Sequence, residues 1–528
     1  MARWQLTISA TLLLALGCSG NADAAPVRGG QMIYARAWDS LYLDPVLNDA
    51  NVDIWVLSNL YDTLLEPSAD GKSVTPGLAT AYELSPDRLT MALALRPGIR
   101  FADGTPVLAS DVKFSLDRAR DPKAGQWNFM LAAIDNVTAA APDRVEIRLK
   151  HPDPTLPAAL ATFNTGIMPE RAFMAEPGAT LDDKAESFAR HPIGAGPFRL
   201  AEWHRNLSMV LERNPYYWAP GEDGKPLPYL DTLRFEIVPD DATRILKLQG
   251  GEVDGAEFIP LARAAELAGD PDLQMRLFPA SEVTYLTFMT RPTLKDGKPN
   301  PLTDPRVRQA LNYALDKDAF IHVVHFGNGK PMTSFMPSTT PLAVAEAPLY
   351  PFDPARAKML LAEAGFAKGF DLSVMIRAGS AEDIAVASVA QQMWGEVGVR
   401  LSLEQLDNAT MTARYRAGDF QIRTGTWTND IADPSEITAY FAYSPNIESQ
   451  HSGFKDPVID ADFEASQKET DPDKRAALYR EIQTRFDEAA PIAFLFESPY
   501  AVALRKPVTG FDQIPLGNNI FAATYIGD

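Results

Sequence analysis

The sequence predicts an α/β protein with mixed sheets, folded as more than one lobe. Three observations carry that reading. Helical and strand periodicities alternate along the chain. The chain has 528 residues, well beyond the ~50–250 of one domain, so two or three lobes are expected. Its residues are 46% apolar and 22% charged, ordinary for a globular protein with a sizeable core. The 42 prolines are scattered singly, so they punctuate loops and form no stiff linker. There is no low-complexity tract and no short repeat of solenoid type.

The first element is "MARWQLTISATLLLALGCSGNADAA". Arg3 precedes an apolar run over residues 6–16 that is too short to span a bilayer and fits the core of a signal peptide. A small-x-small site follows at Ala22-Asp23-Ala24, so residues 1–24 are expected to be removed and the mature chain to begin at Ala25. The sole cysteine, Cys18, lies inside this leader. Cleavage after Ala24 would leave no disulfide, no thiol chemistry and no cysteine-ligated metal. The alternative is a lipid-anchored chain beginning at Cys18, although the preceding Ala15-Leu16-Gly17 matches a lipidation site imperfectly.

"GGQMIYARAWD" then reads as a short strand after a glycine pair. In "VDIWVLSNLYDTLLEP", Ile54, Leu57, Leu60, Tyr61 and Leu64 recur at helical spacing. "LTMALALR" sets Leu89, Met91, Leu93 and Leu95 against smaller residues, as a half-buried strand does. Turns follow at Pro97-Gly98 and Asp103-Gly104, then a helix in "SDVKFSLDRAR" with Ser110 as its expected cap. Two later helices open on Asp-Pro, at Asp353-Pro354 and Asp471-Pro472; Gly365 stops the first. The second carries Leu478, Ile482 and Phe486 four apart on one face. Between them, "DIAVASVAQQMWGEVGV" reads as a helix and "RLSLEQL" as a strand.

Several functions are excluded. A net charge of −20 opposes binding to nucleic acid or to anionic membrane surfaces. Of the 6 histidines only His322 and His325 are close, without further ligands, so they are assigned surface or packing roles and no metal site is expected. "GKS" at 71–73 lacks the first glycine of a phosphate loop, which would fall at Glu66. "GAG" at 194–196 lacks the third glycine of a dinucleotide loop, since Arg199 stands there. No Gly-x-Ser-x-Gly elbow occurs. The 69 acidic residues make carboxylate pairs uninformative. No catalytic residue, cofactor or enzyme activity is expected.

"LATAYELSPDRLTMALALRPGIRFADGTPVLASDVKFSLDR", from Leu78, resembles the signature of the family 5 extracellular solute-binding proteins, which serve ABC transporters for dipeptides, oligopeptides, nickel and related solutes. "PIGAGPFRL" at Pro192, "RNPYYW" at Arg213, "LQGGEVDGAEF" at Leu248, "DPRVRQALNYALDKDAF" at Asp304 and "AKMLLAEAGF" at Ala357 resemble further family landmarks in the same order. The chain departs from the family pattern at Leu108, Ala195 and Met289.

The resemblance implies a type II periplasmic-binding-protein fold: two lobes, an extra subdomain, and a ligand cleft between the lobes. Lobe 1 would comprise residues 25–60, 190–283 and 500–528, with the subdomain at 61–189; lobe 2 would comprise 284–499. It implies a periplasmic, monomeric carrier that takes a peptide-like solute and delivers it to an inner-membrane ABC permease. A nickel chelate, an opine or a sugar is the alternative cargo, and a secreted hydrolase the alternative class. In peptide-binding members, a strand of the second lobe ends in Trp, and an Asp three residues on accepts the peptide ammonium. The matching stretch is "TGTWTNDIADPSEI", which offers Trp427, Asn429 and Asp430. A desolvated ammonium needs such a fixed carboxylate, and an indole beside it excludes water. Asp433, before a proline, reads as a turn former. The Arg that holds a dipeptide carboxylate in the family corresponds to Ile384 or Ala385, so Arg377 or Arg423 is expected to substitute.

Overall fold

The computed structural model describes residues 25–527 except 49, 126 and 345–349. The expected leader, Cys18 included, lies outside the described residues. The α/β class holds. One sheet of 11 strands runs through both lobes. Its order is Val399–Leu406, Phe370–Arg377, Ile422–Thr428, Leu273–Phe288, Ile492–Arg505, Gly255–Ala256, Gln31–Arg36, Thr232–Ile237, Ser208–Arg213 and Phe198–His204, with Lys330–Pro331 paired to Ile492–Arg505.

The two long strands at the centre join the lobes. Leu273–Phe288 pairs with Ile492–Arg505 from Leu273↔Arg505 to Phe278↔Tyr500, breaks register, and resumes at Glu282↔Ser498. Pro279 has no N–H to give the ladder, which favours a bulge there. On one side of the break, Ala503 and Leu504 pair with the first-lobe strand Gly255–Ala256. On the other, residues from Glu282 onward pair with the second-lobe strand Ile422–Thr428. Side chains then alternate between two second-lobe cores: Val283 and Tyr285 pack with Phe335, Phe441 and Phe494, while Leu286 and Phe288 pack with Val374, Trp394 and Leu401.

A separate 4-stranded antiparallel sheet, formed by Ala79–Leu84, Thr90–Leu95, Arg144–Leu149 and Ile134–Ala141, makes the subdomain. Met91, Leu93 and Leu95 are buried in it, as their alternation predicts. The helix Ala109–Ala119 covers it through Val112, Leu116 and Ala119. Ser110 is not its cap. The helix starts one residue earlier, Ser110 is exposed, and the Asp111 carboxylate closes the turn by accepting the Leu108 N–H at 2.9 Å.

Asp353 and Asp471 do cap their helices, accepting backbone N–H groups of Arg356 and of Asp473 and Lys474. On the second helix the buried face is turned by one residue from the expected one: Tyr479, Ile482 and Phe486 are buried, and Leu478 is half-buried. Met289 lies away from the register break, in a small core with Met375, Met411 and Phe420.

Candidate ligand cleft

The loop after Ile422–Thr428 reaches back to the junction between the lobes. The Asn429 N–H donates to the Ser281 carbonyl at 3.3 Å, and the Asn429 side chain, fully buried, donates to the Ile431 carbonyl at 2.6 Å. Ile431 is buried in the core cluster that holds most of the first lobe. The backbone around Asp430 is therefore pinned on both sides. Asp433 makes the expected turn, accepting the Ser435 N–H at 2.9 Å, and also a bidentate ion pair with Arg475, both contacts 2.8 Å.

Asp430 faces the first turn of the helix Ser435–Phe441, where its N–H donates to Glu436 Oε2 at 2.8 Å and its side chain is hydrogen-bonded to Glu436. Burial pushes the Asp430 carboxyl up to about 7. Burial, and next the charge of Asp430, push Glu436 well above the usual carboxylate range. No cation offsets either shift. Two carboxyls in contact with little water hold a proton between them. Trp427, on the preceding strand, stacks on Tyr440, one helical turn after Glu436, with ring centroids 3.5 Å apart and planes at 16°. Its buried indole N–H has no hydrogen-bond partner.

Arg377 and Arg423 meet in one cavity of about 230 Å³ within the second lobe, lined also by Tyr415, Thr424 and Tyr440. They are not equivalent. Arg377 is committed to Asp383 through Nε at 2.9 Å and Nη2 at 3.0 Å. The Arg423 guanidinium lies 3.9 Å from the centroid of the Tyr415 ring and gives one hydrogen bond, from Nη2 to the Tyr285 hydroxyl at 3.1 Å. Its Nε is buried without a partner.

Two cavities are walled by both halves of the molecule. One of about 590 Å³ lies between Phe129, His151 and Asp153 on the subdomain side and Ile431, Glu436 and Tyr443 on the other. One of about 170 Å³ sits at the strand junction, between Glu257 and Phe258 on one side and Glu282 and Glu382 on the other. A larger hollow of about 940 Å³ lies wholly on the first-lobe side, lined by residues within 41–205, and includes none of the candidate residues. Size alone therefore does not mark the solute site.

Sequence reasoning singled out Trp427, Asn429 and Asp430 but missed Glu436, which is six residues from Asp430 and touches it only because a proline turn and a helix start fold the chain back. It also set aside His325, which is 5% exposed and lines the junction cavity. Among the described residues, no group of three or more His, Cys, Asp or Glu is arranged to hold a metal ion, and no helix is long and apolar enough to cross a membrane.

Residues 73–449 match the profile of the bacterial extracellular solute-binding proteins, family 5 middle region. The glutathione-binding protein GsiB of Pectobacterium atrosepticum is 29% identical over 521 residues, covering 97% of this chain and 97% of that protein. The probable D,D-dipeptide-binding periplasmic protein DdpA of Escherichia coli is 28% identical over 517 residues, covering 97% and 96%. Among solved structures, HbpA2 from Haemophilus parasuis superposes with a TM-score of 0.81 at 27% identity, over 94% of this chain and 100% of that one.

Proposed function

The chain belongs to the bacterial extracellular solute-binding proteins of family 5, and from that premise we propose that it captures a peptide-like, amine-bearing solute between its lobes and delivers it to the membrane permease of an ABC importer. One observation carries the choice of solute: the Asp430–Glu436 carboxyl pair, Glu436 buried and Asp430 half-buried, with no cation against it and with the Trp427–Tyr440 stack one helical turn on. A free ammonium entering a closing cleft loses its water and must recover the loss from a fixed opposite charge. The pair supplies that charge by giving up its proton, and Trp427 shields the contact from water. Asn429 holds the loop that presents Asp430. At the other end of the solute Arg423 receives a carboxylate, since its Nε is unpartnered while Nε and Nη2 of Arg377 already donate to Asp383.

Glutathione and dipeptides, named for two of the similar proteins, both carry a primary ammonium and a carboxylate, which matches this two-ended recognition. The lobes close about the break at 279–281 and 499, where the ladder between the long strands is interrupted. Export follows the leader at residues 1–24, with Ala25 or lipid-modified Cys18 as the mature N-terminus; intact mass from the native host decides between them.

Native mass spectrometry of freshly purified protein identifies a retained solute. Calorimetry with that solute and its N-acetylated form, on wild type and Asp430→Asn, then closes a double-mutant cycle. Losing one partner of a buried pair costs about 3–5 kcal/mol, a hundredfold or more in affinity. Acetylation should weaken wild type by that much and add little in Asp430→Asn. Independent, additive losses would show that Asp430 does not hold the ammonium.

A further inference from the structure

We propose that the junction cavity is a second cation subsite, so that the preferred solute carries a basic side chain as well as its terminal ammonium. This rests on the reading that the solute binds between the lobes. The cavity, about 170 Å³, is lined by Trp55, Glu257 and Phe258 on one side and by Glu282, His325 and Glu382 on the other. At about 170 Å³, against about 590 Å³ for the other cavity walled by both halves, it suits the end of a lysine or arginine side chain rather than a whole peptide.

The polar groups of this wall are incompletely used. Glu257 is 4% exposed; its Oε1 accepts the Ala37 N–H at 3.1 Å and lies 3.6 Å from Arg36 Nε, while Oε2 has no partner. His325 is 5% exposed; Nε2 lies 3.5 Å from Glu382 Oε1, and Nδ1 has no partner. Gln513 Oε1, in the same wall, is also buried without a donor. Two unmet acceptor oxygens therefore belong to this wall. Glu282 lies beside Glu382, His325, Arg377, Ser498 and Tyr500. Burial and then the charge of Glu382 push its carboxyl up to about 7, so it exchanges its proton readily for a cation. Of the nearest arginines, Arg377 is paired with Asp383, and Arg36 donates to the Val52 carbonyl and, with Arg244, faces Glu257, while Arg36 Nε and Nη1 keep no hydrogen-bond partner; the cation is therefore held chiefly by Glu282 and Glu382.

The chemistry favours an organic cation over a metal ion. The acidic and imidazole groups are not arranged as a metal-ligand cluster, and part of the wall is aromatic. Trp55 and Phe258 pack with ring centroids 5.0 Å apart. Phe258 keeps a left-handed backbone, φ 50°, a conformation a bulky residue adopts only where the surroundings impose it. Ring faces attract ammonium and guanidinium groups that shed their water.

The test is calorimetry of the full mature chain with tripeptides: trialanine, its N-acetyl form, the three isomers with one lysine, and the same three with Nε-acetyl-lysine. One lysine isomer should bind at least about tenfold tighter than its acetylated counterpart, and Glu282→Gln should reduce that ratio to under about threefold. Sensitivity to acetylation of the terminal amine should persist in Glu282→Gln. Thermal melting checks that the variant folds; Glu382→Gln, whose side chain is 43% exposed, provides the same test on a second wall residue. If trialanine binds and its N-acetyl form does not, yet no lysine isomer gains, the second subsite is refuted alone. If no tripeptide binds at all, the peptide reading fails and this inference with it.

Discussion

If the Asp430–Glu436 pair holds the solute's ammonium as proposed, solute affinity depends on pH in a defined direction. Asp430 sits at about 7 in the free protein, above its ordinary value, so below neutrality it holds a proton that an ammonium must displace. Affinity should therefore rise about tenfold per pH unit up to about pH 7 and then level off. The α-amino group of a free peptide loses its own proton near pH ~7.7–8.0, so affinity falls again above that. The optimum lies between the two. The facing titratable groups are Glu436 and Tyr500, and neither supplies a positive charge. The same shift acts on folding: with its pKa raised from 3.8, Asp430 contributes less to stability as pH rises through the interval between the two values. Glu436→Gln keeps an acceptor for the Asp430 N–H but removes the acid proton that hydrogen-bonds the Asp430 carboxylate and holds its pKa down, so it should move the rising limb toward higher pH. The assay is calorimetry from pH 5.5 to 9 in buffers of different ionisation heat, which counts the protons released. Equal affinity at pH 5.5 and 7 with no proton release would refute the shared-proton account.

Three further outcomes follow from the geometry. Arg475→Ala leaves Asp433, whose side chain is 7% exposed, without its partner; unfolding stability should drop by about 3 kcal/mol, while the affinity penalty for N-acetylated solute stays as in wild type. Gly425→Ala places a methyl 2.6 Å from the fully buried ring of Tyr285, which is held by Phe441 at 5.0 Å; melting should show a loss of about 1–3 kcal/mol, and weaker binding of solutes that carry a carboxylate, because Tyr285 supports Arg423. Solute should raise the melting temperature, change Trp427 fluorescence and shrink the radius of gyration together; tight binding with unchanged scattering and fluorescence counts against closure.

The parts of this molecule that local physics determines could be read from the chain. The alternation of Met91, Leu93 and Leu95, the Asp-Pro helix starts and the turn at Asp433 each depend on neighbours a few residues away. Trp427 and Asp430 drew attention for the same reason, with the family resemblance supplying the role proposed for them. What stayed hidden depends on contacts made across the sequence. Asp433 looks like a turn residue until Arg475, 42 positions on, is folded against it. Arg377 and Arg423 are indistinguishable as free arginines until Asp383 takes the donors of one and Tyr415 packs on the other. His325 looks inert with only His322 near it in sequence; its neighbours Glu282 and Glu382 arrive from a different strand and helix.

The cleft's acids would also make the proposed closure selective. Glu257 belongs to the first-lobe side, while Glu282, Glu382, Asp430 and Glu436 lie on the other, beyond the strand break. Closing would draw these groups into space with little water, where burial raises the carboxyls at 282, 430 and 436 and protons offset their charge when no ligand is bound. A ligand shifts such an equilibrium only by the difference in its affinity for the two states. A neutral or acidic solute gains little from being enclosed among acids, whereas a cation gains most when both walls surround it. Carrying a closure equilibrium from 1:99 to 99:1 takes about 5.5 kcal/mol. One charge-assisted hydrogen bond is worth roughly 1.5–3 kcal/mol, so a single ammonium moves the lobes only partway. Two cationic groups, one at Asp430 and one at Glu282, together reach the required range.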